Sequence, residues 1–259
     1  MELKRKIYQK LLDWKNESNG ASALLLNGAR RVGKSFICGQ FGKNEYRSML
    51  IIDFSNISNS VKDIFINDNT NLDMFFIKLA AFYRVELYKR ESLIVFDEVQ
   101  LFPMARQMIK HLVADGRYDY IETGSLISLK QNVKDILIPS EEEELEMHPM
   151  DFEEFLWAMG DETTMPYVRL CYEQKTPLGQ AMHRSAMNAF RQYMLVGGMP
   201  QSVLAYAMNK DFAAADKAKR GILKLYRSDI TKYAAGYKGK VTAIFDALPG
   251  QLAKKEKKY

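Results

Sequence analysis

Short apolar runs alternate with helical patterns through the first half of the chain. Residues 23–27 (ALLLN), 49–54 (MLIIDF) and 92–96 (SLIVF) are strand-sized, and residues 119–123 (DYIET) form a weaker fourth run. Between them, residues 34–41, 71–84 and 103–114 carry apolar positions at helical spacing. The last of these opens on Pro103 and is followed by Gly116, the usual asymmetry of helix ends. Residues 2–15 read as an amphipathic helix with Leu3, Ile7, Leu11 and Trp14 on one face. Strands alternating with helices predict βαβ units and a mostly parallel sheet buried on both faces. The acidic run 141–146 interrupts this rhythm. Leu145 and Met147 alternate there as in one more strand, and a charged loop is the equal alternative.

From residue 151 the pattern turns almost wholly helical. Asp151 is placed to cap a helix, with Glu154 completing a capping box and Gly160 ending it. Further helices are expected over residues 177–196, from Pro200 through Met208, over 211–233, and again after Lys240. Gly197 and Gly198 break the chain between the first two. The change near residue 150 sets the expected division: residues 1–150 as an α/β nucleotide-binding domain and 151–259 as a smaller all-helical lid.

Composition narrows the class. Two cysteines, Cys38 and Cys171, match no metal spacing, and His111, His148 and His183 are scattered, so no zinc or haem site is indicated. So few cysteines point to a reducing, cytoplasmic setting. The N-terminus has no signal-peptide pattern, and no apolar run nears the roughly 18 residues of a membrane span. Charge is uneven. Residues 210–259 hold 13 Lys/Arg against 5 Asp/Glu, a local +8 in a chain of net +5, so the rest sums to −3. That basic segment suits either nucleic acid or a plain solvated helical surface.

The most informative segment is Gly28-Ala29-Arg30-Arg31-Val32-Gly33-Lys34-Ser35, which fits G-x-x-x-x-G-K-[ST] between an apolar run and a helical pattern. Glycines let the backbone curl so that successive N–H groups point inward as an anion nest, and the following helix adds the positive end of its dipole. In this reading Gly28, Ala29, Arg30, Arg31, Val32, Gly33, Lys34, Ser35 and Phe36 line the polyphosphate. Lys34 reaches the β and γ phosphates, and the Ser35 hydroxyl sits on Mg²⁺. Arg30 and Arg31 have three open assignments: phosphate, a neighbouring subunit, or an acidic surface.

A second feature is the apolar run 93–96 ending in Asp97 and Glu98. Ligands of open α/β sheets lie at the carboxyl ends of strands. Asp97 is therefore expected to hold Mg²⁺ and Glu98 to orient an attacking water. The bland alternative is a turn after a strand. A third feature is the end of the fourth run in Thr123-Gly124-Ser125. Thr123 or Ser125 is placed to sense the γ-phosphate if that strand lies beside the first, and Ser125 also suits a helix cap.

With these motifs, the chain resembles a family of prokaryotic AAA+-like ATPases whose P-loop reads G-x-R-R-x-G-K-[ST]. Val95-Phe96-Asp97-Glu98-Val99-Gln100 is similar to that family's acidic motif with its trailing Gln. Residues 149–156 (PMDFEEFL) and Gly197-Gly198-Met199-Pro200 are similar to two further signatures. The resemblance implies that Pro200 lies against the adenine, as the proline of a G-x-P motif does in related ATPases. It also implies a winged helix and a nuclease-like domain after the lid. The chain ends at Tyr259, soon after a helix that resembles the start of that winged helix, and so reads as C-terminally shortened.

Mg-dependent binding and hydrolysis of ATP is the function expected, with Lys34, Glu98 and Thr123 catalytic and Ser35 and Asp97 on the metal. ADP is the product, and an arginine finger is expected from another copy or a second protein. Arg5 and Tyr8 are expected to flank the base. The alternative is a nucleotide-switched binding module with little turnover, contacting nucleic acid through its basic segment.

Overall fold

The computed structural model describes residues 2–125, 141–234 and 236–254. Five strands form one parallel sheet: β1 (Ala23–Gly28), β2 (Ser48–Asp53), β3 (Ser92–Asp97), β4 (Asp119–Ser125) and β5 (Glu142–Met147), in the order β2-β3-β4-β1-β5. The acidic run is thus a strand, not a loop. Its Leu145 and Met147 face the core beside β1, while Arg106 pairs with Glu142 at 2.8 Å. Charge along an edge strand discourages pairing with other chains.

Helices cover both faces. α1 (Ile7–Ser18) and α2 (Lys34–Glu45) pack on one side over Leu24, Leu26, Val95 and Ile121. α3 (Asn59–Asn67), α4 (Leu72–Tyr83) and α5 (Pro103–Asp115) cover the other, where Phe54, Phe65, Phe75 and Phe96 meet edge to face. β1 and β3 are buried at every position because both faces are covered, which is why they read as continuous apolar runs.

α3 has no counterpart among the expected helices. It is nine residues long, and its start is marked only by Ser58, whose side chain accepts from the Val61 N–H at 3.3 Å. The N-terminal helix begins at Ile7 rather than near residue 2. The reason is Arg5, which is buried and donates to the carbonyls of Val32 (2.9 Å) and His148 (2.7 Å) and to Glu154 (3.1 Å). Residues 2–5 form an arm rather than a helical turn, and Leu3 packs against the helical region.

Beyond β5 the described chain is helical: α6 (Phe152–Ala158), α7 (Thr164–Glu173), α8 (Gln180–Val196), α9 (Pro200–Asn209), α10 (Phe212–Tyr233) and α11 (Lys238–Ala253). Its core is small, built on Met150, Phe155, Val196, Val203, Tyr206 and Ala215. The capping box at Asp151 and Glu154 forms as expected, and Glu154 also accepts from the Lys6 N–H at 2.7 Å. α7 is a further helix that the sequence pattern did not reveal. Among the described residues no helix is long and apolar enough to cross a membrane, and Cys38 and Cys171 are buried and free.

Two interior charges yield tests. Arg5 and Glu154 keep only 6% side-chain exposure each. Removing either partner of such a buried pair strands the other, so Arg5→Ala and Glu154→Ala should each cost about 3–5 kcal/mol in urea unfolding. The Arg5→Met/Glu154→Leu double variant should lose far less than the sum, and additive losses would refute the pairing.

Glu122, on β4, is wholly buried, and its side chain faces the carboxylate of Glu142 on β5. Burial, and then the Glu142 carboxylate beside it, raises its pKa well above the ordinary range. A carboxyl whose pKa rises on folding supports the fold fully below its unfolded value of about 4.3. That support is lost as pH climbs through the folded value. Glu122→Gln is therefore expected to melt higher than wild type at neutral pH, with the gap closing as pH falls toward about 4. A gap independent of pH would exclude Glu122 as the titrating group.

Candidate functional site

The turn from β1 into α2 is shaped by three residues with positive φ: Gly28 (149°), Arg31 (69°) and Gly33 (101°). A Cβ on Gly28 would come within 2.2 Å of the Met147 carbonyl oxygen, so the end of β5 admits only glycine there. Val32 is fully buried beneath the turn and anchors it to the core. α2 starts on Gly33 with no side-chain cap, so its first N–H groups and its positive dipole end are available to an anion. The turn thus has the curvature of an anion nest.

Lys34 is buried and donates from Nζ to the carbonyls of Gly28 and Ala29, each at 3.1 Å. Burial lowers its pKa, against the opposing pull of the Glu98 and Asp97 charges. The Ser35 hydroxyl donates to Asp97 Oδ1 at 2.8 Å, and the Thr123 hydroxyl donates to the same oxygen. Because β4 lies between β1 and β3, Asp97 reaches Ser35 past Thr123. Thr123 pairs in register with Leu26, and Ser125 with Gly28, so β4 does lie beside the first strand.

Glu98 follows β3 in a left-handed conformation (φ 57°, ψ 45°). Its N–H donates to Thr123 Oγ1 at 3.1 Å, and Gln100 Nε2 donates to its Oε2 at 2.5 Å. Glu98 faces the same cavity as the nest, about 510 Å³ in volume. Its lining combines charged and polar groups, Arg30, Arg31, Lys34, Ser35 and Glu98 among them, with apolar Leu3, Met147, Pro200 and Leu204. Phe36 lies on the rim, 59% exposed. Pro200 opens α9 after the Gly197–Gly198 break, and its Cγ lies 3.8 Å from where a Gly33 Cβ would stand. A Cβ on Gly198 would meet the Met150 carbonyl oxygen at 2.2 Å, so the close approach of this turn to Met150 requires glycine.

The donor set fits a magnesium ion shared with a polyphosphate. Ser35 and Asp97 are hard oxygen donors side by side at the nest, and Mg²⁺ keeps most of its other ligands as water and phosphate oxygen. Among the described residues no three acidic, histidine or cysteine side chains cluster into an all-protein cage.

Two expected residues stand elsewhere or act otherwise. The Tyr8 hydroxyl donates to Glu45 at 2.6 Å and its ring packs edge to face on Phe41, so Tyr8 braces α1 on α2 and does not line the cavity. Arg5 lines the cavity, but its donors serve the structural contacts described above. Arg30 is engaged by α10: it pairs with Asp229, and its carbonyl accepts from the Tyr226 hydroxyl at 2.8 Å. In the basic segment, Arg220 pairs with Asp216, Arg227 with Asp246, and Lys219 donates to the Leu195 carbonyl; residues 255–259 of that segment lie outside the described residues. Gln100, Tyr226 and Asp229 were missed as site residues. Gln100 trails the acidic motif with nothing local to give it a role, and nothing in the sequence joins residue 30 to residues nearly two hundred positions away.

Among solved structures the chain is similar to the Walker-type ATPase PABY2304 of Pyrococcus abyssi at 17% identity, covering 92% of this chain and 76% of that one, with a TM-score of 0.48. It is similar to the Aeropyrum pernix ORC1 protein solved in complex with DNA at 11% identity, covering 100% and 80%, with a TM-score of 0.43. Hsp104, solved with ATPγS and casein, aligns at 12% identity over 94% of this chain and 50% of that one, with a TM-score of 0.43. These likenesses are too distant to transfer an activity. No curated protein matches. Residues 187–258 match a domain of unknown function, DUF8612. Residues 21–156, just over half of the chain and the whole of the nest, the acidic strand end and the Thr123 strand, match the AAA domain, and the chain belongs to that family.

Proposed function

We propose that the chain binds ATP with Mg²⁺ and hydrolyses it. The observation that carries this reading is the meeting of Ser35, Asp97 and Thr123 at one oxygen beside the nest, with Glu98 facing the same cavity. The metal, when bound, neutralises charge on the β and γ phosphates. Ser35 and Asp97 are its protein ligands. The nest amides of residues 28–36 wrap the phosphates, with Arg30 and Arg31 adding charge. Lys34 exchanges its two carbonyl partners for phosphate oxygens, a gain for a buried ammonium. Glu98 orients the water that attacks the γ-phosphorus, and Thr123 holds Asp97 and Glu98 in register. Pro200, with Leu3 and Leu204, packs on the adenine. An arginine finger comes from a second copy or another protein, and its absence lowers the rate about a thousandfold or more.

Calorimetry with ATP, GTP and ADP, with and without Mg²⁺, together with phosphate release, tests the reading. Wild type should bind ATP in preference to GTP and bind it best with Mg²⁺. Lys34→Ala should lose ATP binding, while Glu98→Gln should bind as wild type and release no phosphate. Unchanged binding by Lys34→Ala, or unchanged hydrolysis by Glu98→Gln, sinks the corresponding role.

A second reading, a nucleotide-switched binding module, is favoured by the two contacts from Arg30 to α10. Phosphate competes with Asp229 for the Arg30 guanidinium, so ATP should change the tryptic cleavage of α10. Asp229→Asn should show the changed pattern without nucleotide, and a cleavage pattern indifferent to ATP counts against the switch.

A further inference from the structure

We infer that Gln100 is a positioning residue for Glu98: its side-chain amide holds the carboxylate in the pose from which the attacking water is oriented. This rests on the reading of Glu98 given above and adds to it the group that sets the glutamate's geometry.

Glu98 is held at both ends. Its backbone adopts a left-handed conformation that L side chains rarely take, and its N–H donates to the Thr123 hydroxyl at 3.1 Å. Its side chain accepts from Gln100 Nε2 at 2.5 Å on Oε2. The other oxygen has no hydrogen-bond partner among the described residues, so it can accept from a water.

The clamp itself is rigid. Gln100 lies in the short turn Val99–Leu101 and is 6% exposed. Val99 beside it is wholly buried in the aromatic core, and Phe102 just beyond stacks on Phe54 at 5.4 Å. The chemistry also suits the task. A primary amide donates a hydrogen bond yet adds no charge near Mg²⁺ and triphosphate, and it does not take the proton of the water. A free glutamate in a cavity this open would sample several rotamers, and a misplaced carboxylate loses the alignment on which such catalysis depends.

The test uses the full chain. Single-turnover hydrolysis of ATP is measured at saturating protein, alongside calorimetric affinities for ATP, for ADP, and for ADP with aluminium fluoride and Mg²⁺, which mimics the transferring phosphoryl group. The variants are Gln100→Leu, the near-isosteric Gln100→Glu in case the first folds poorly, Glu98→Gln, and the Glu98→Gln/Gln100→Leu pair, each checked by thermal melting.

Gln100→Leu and Gln100→Glu should lower the single-turnover rate and the aluminium fluoride affinity by about tenfold or more. Affinity for ATP should stay within about twofold, because the amide touches no part of the substrate. In the Glu98→Gln background, which releases no phosphate, Gln100→Leu should leave the aluminium fluoride affinity unchanged, since its effect on the transferring phosphoryl group runs through that carboxylate. Wild-type behaviour of both Gln100 variants, with Glu98→Gln inactive, overturns this inference and spares the role of Glu98. A parallel fall in ATP affinity, or an equal loss in the Glu98→Gln background, also overturns it. Wild-type rates in Glu98→Gln, or a wild type with no preference for ADP with aluminium fluoride over ADP, remove both readings.

Discussion

The Asp97 carboxylate accepts from Ser35 and from Thr123, and through those two bonds three separate elements converge on one oxygen. Asp97 ends β3, Thr123 stands near the end of β4, and Ser35 opens α2 just after the turn from β1. The convergence follows from a parallel sheet, in which all three strand ends open on the same side, with β4 between β1 and β3 so that Thr123 stands between Ser35 and Asp97. The core enforces that order. Leu24, Leu26, Val95 and Ile121 pack as one layer under α1 and α2, and a one-residue slip of any strand would turn its apolar set to the wrong face. Around the shared oxygen the remaining contacts fall into place: Thr123 also receives the Glu98 N–H, and Glu98 receives Gln100.

The helical region is tied to this sheet by two buried or half-buried links. Arg5 in the N-terminal arm joins Glu154 of α6 to the carbonyl of Val32 inside the nest, so one guanidinium holds loop and helices together. Tyr226 and Asp229 of α10 hold Arg30 from the other side. The first link is deeply buried, where geometry rather than salt sets its worth; the second is partly exposed and correspondingly easier to exchange for another anion. The loop is therefore rigid at its base and adjustable at Arg30.

Much of the α/β part was legible because its signals are local and strong. The buried strands β1 and β3 carry continuous apolar runs, and Gly28, Gly33, Lys34 and Ser35 stand at the spacing of a glycine-bounded turn opening a helix. The capping box at Asp151 was equally readable, since it involves groups three residues apart. Helix α3 was not, because nine residues with one weak cap barely exceed the noise of apolar spacing. The arm at residues 2–5 misled for the opposite reason: its apolar spacing is helical, and only the burial of Arg5 against distant carbonyls stops the helix.

The chain's local chemistry by itself determined the strand and helix alternation, the nest, and the acidic residues at the end of an apolar strand, all of which depend on neighbours within a few positions. Tertiary structure alone decided that Thr123 bridges Asp97 and Glu98, that Gln100 clamps Glu98, that Tyr8 turns to Glu45 instead of the cavity, and that Arg30 answers to Asp229. Those are contacts of direction and distance between side chains brought together by strand order and helix packing. A hydrogen bond made across the fold leaves no periodicity along the chain from which to read it.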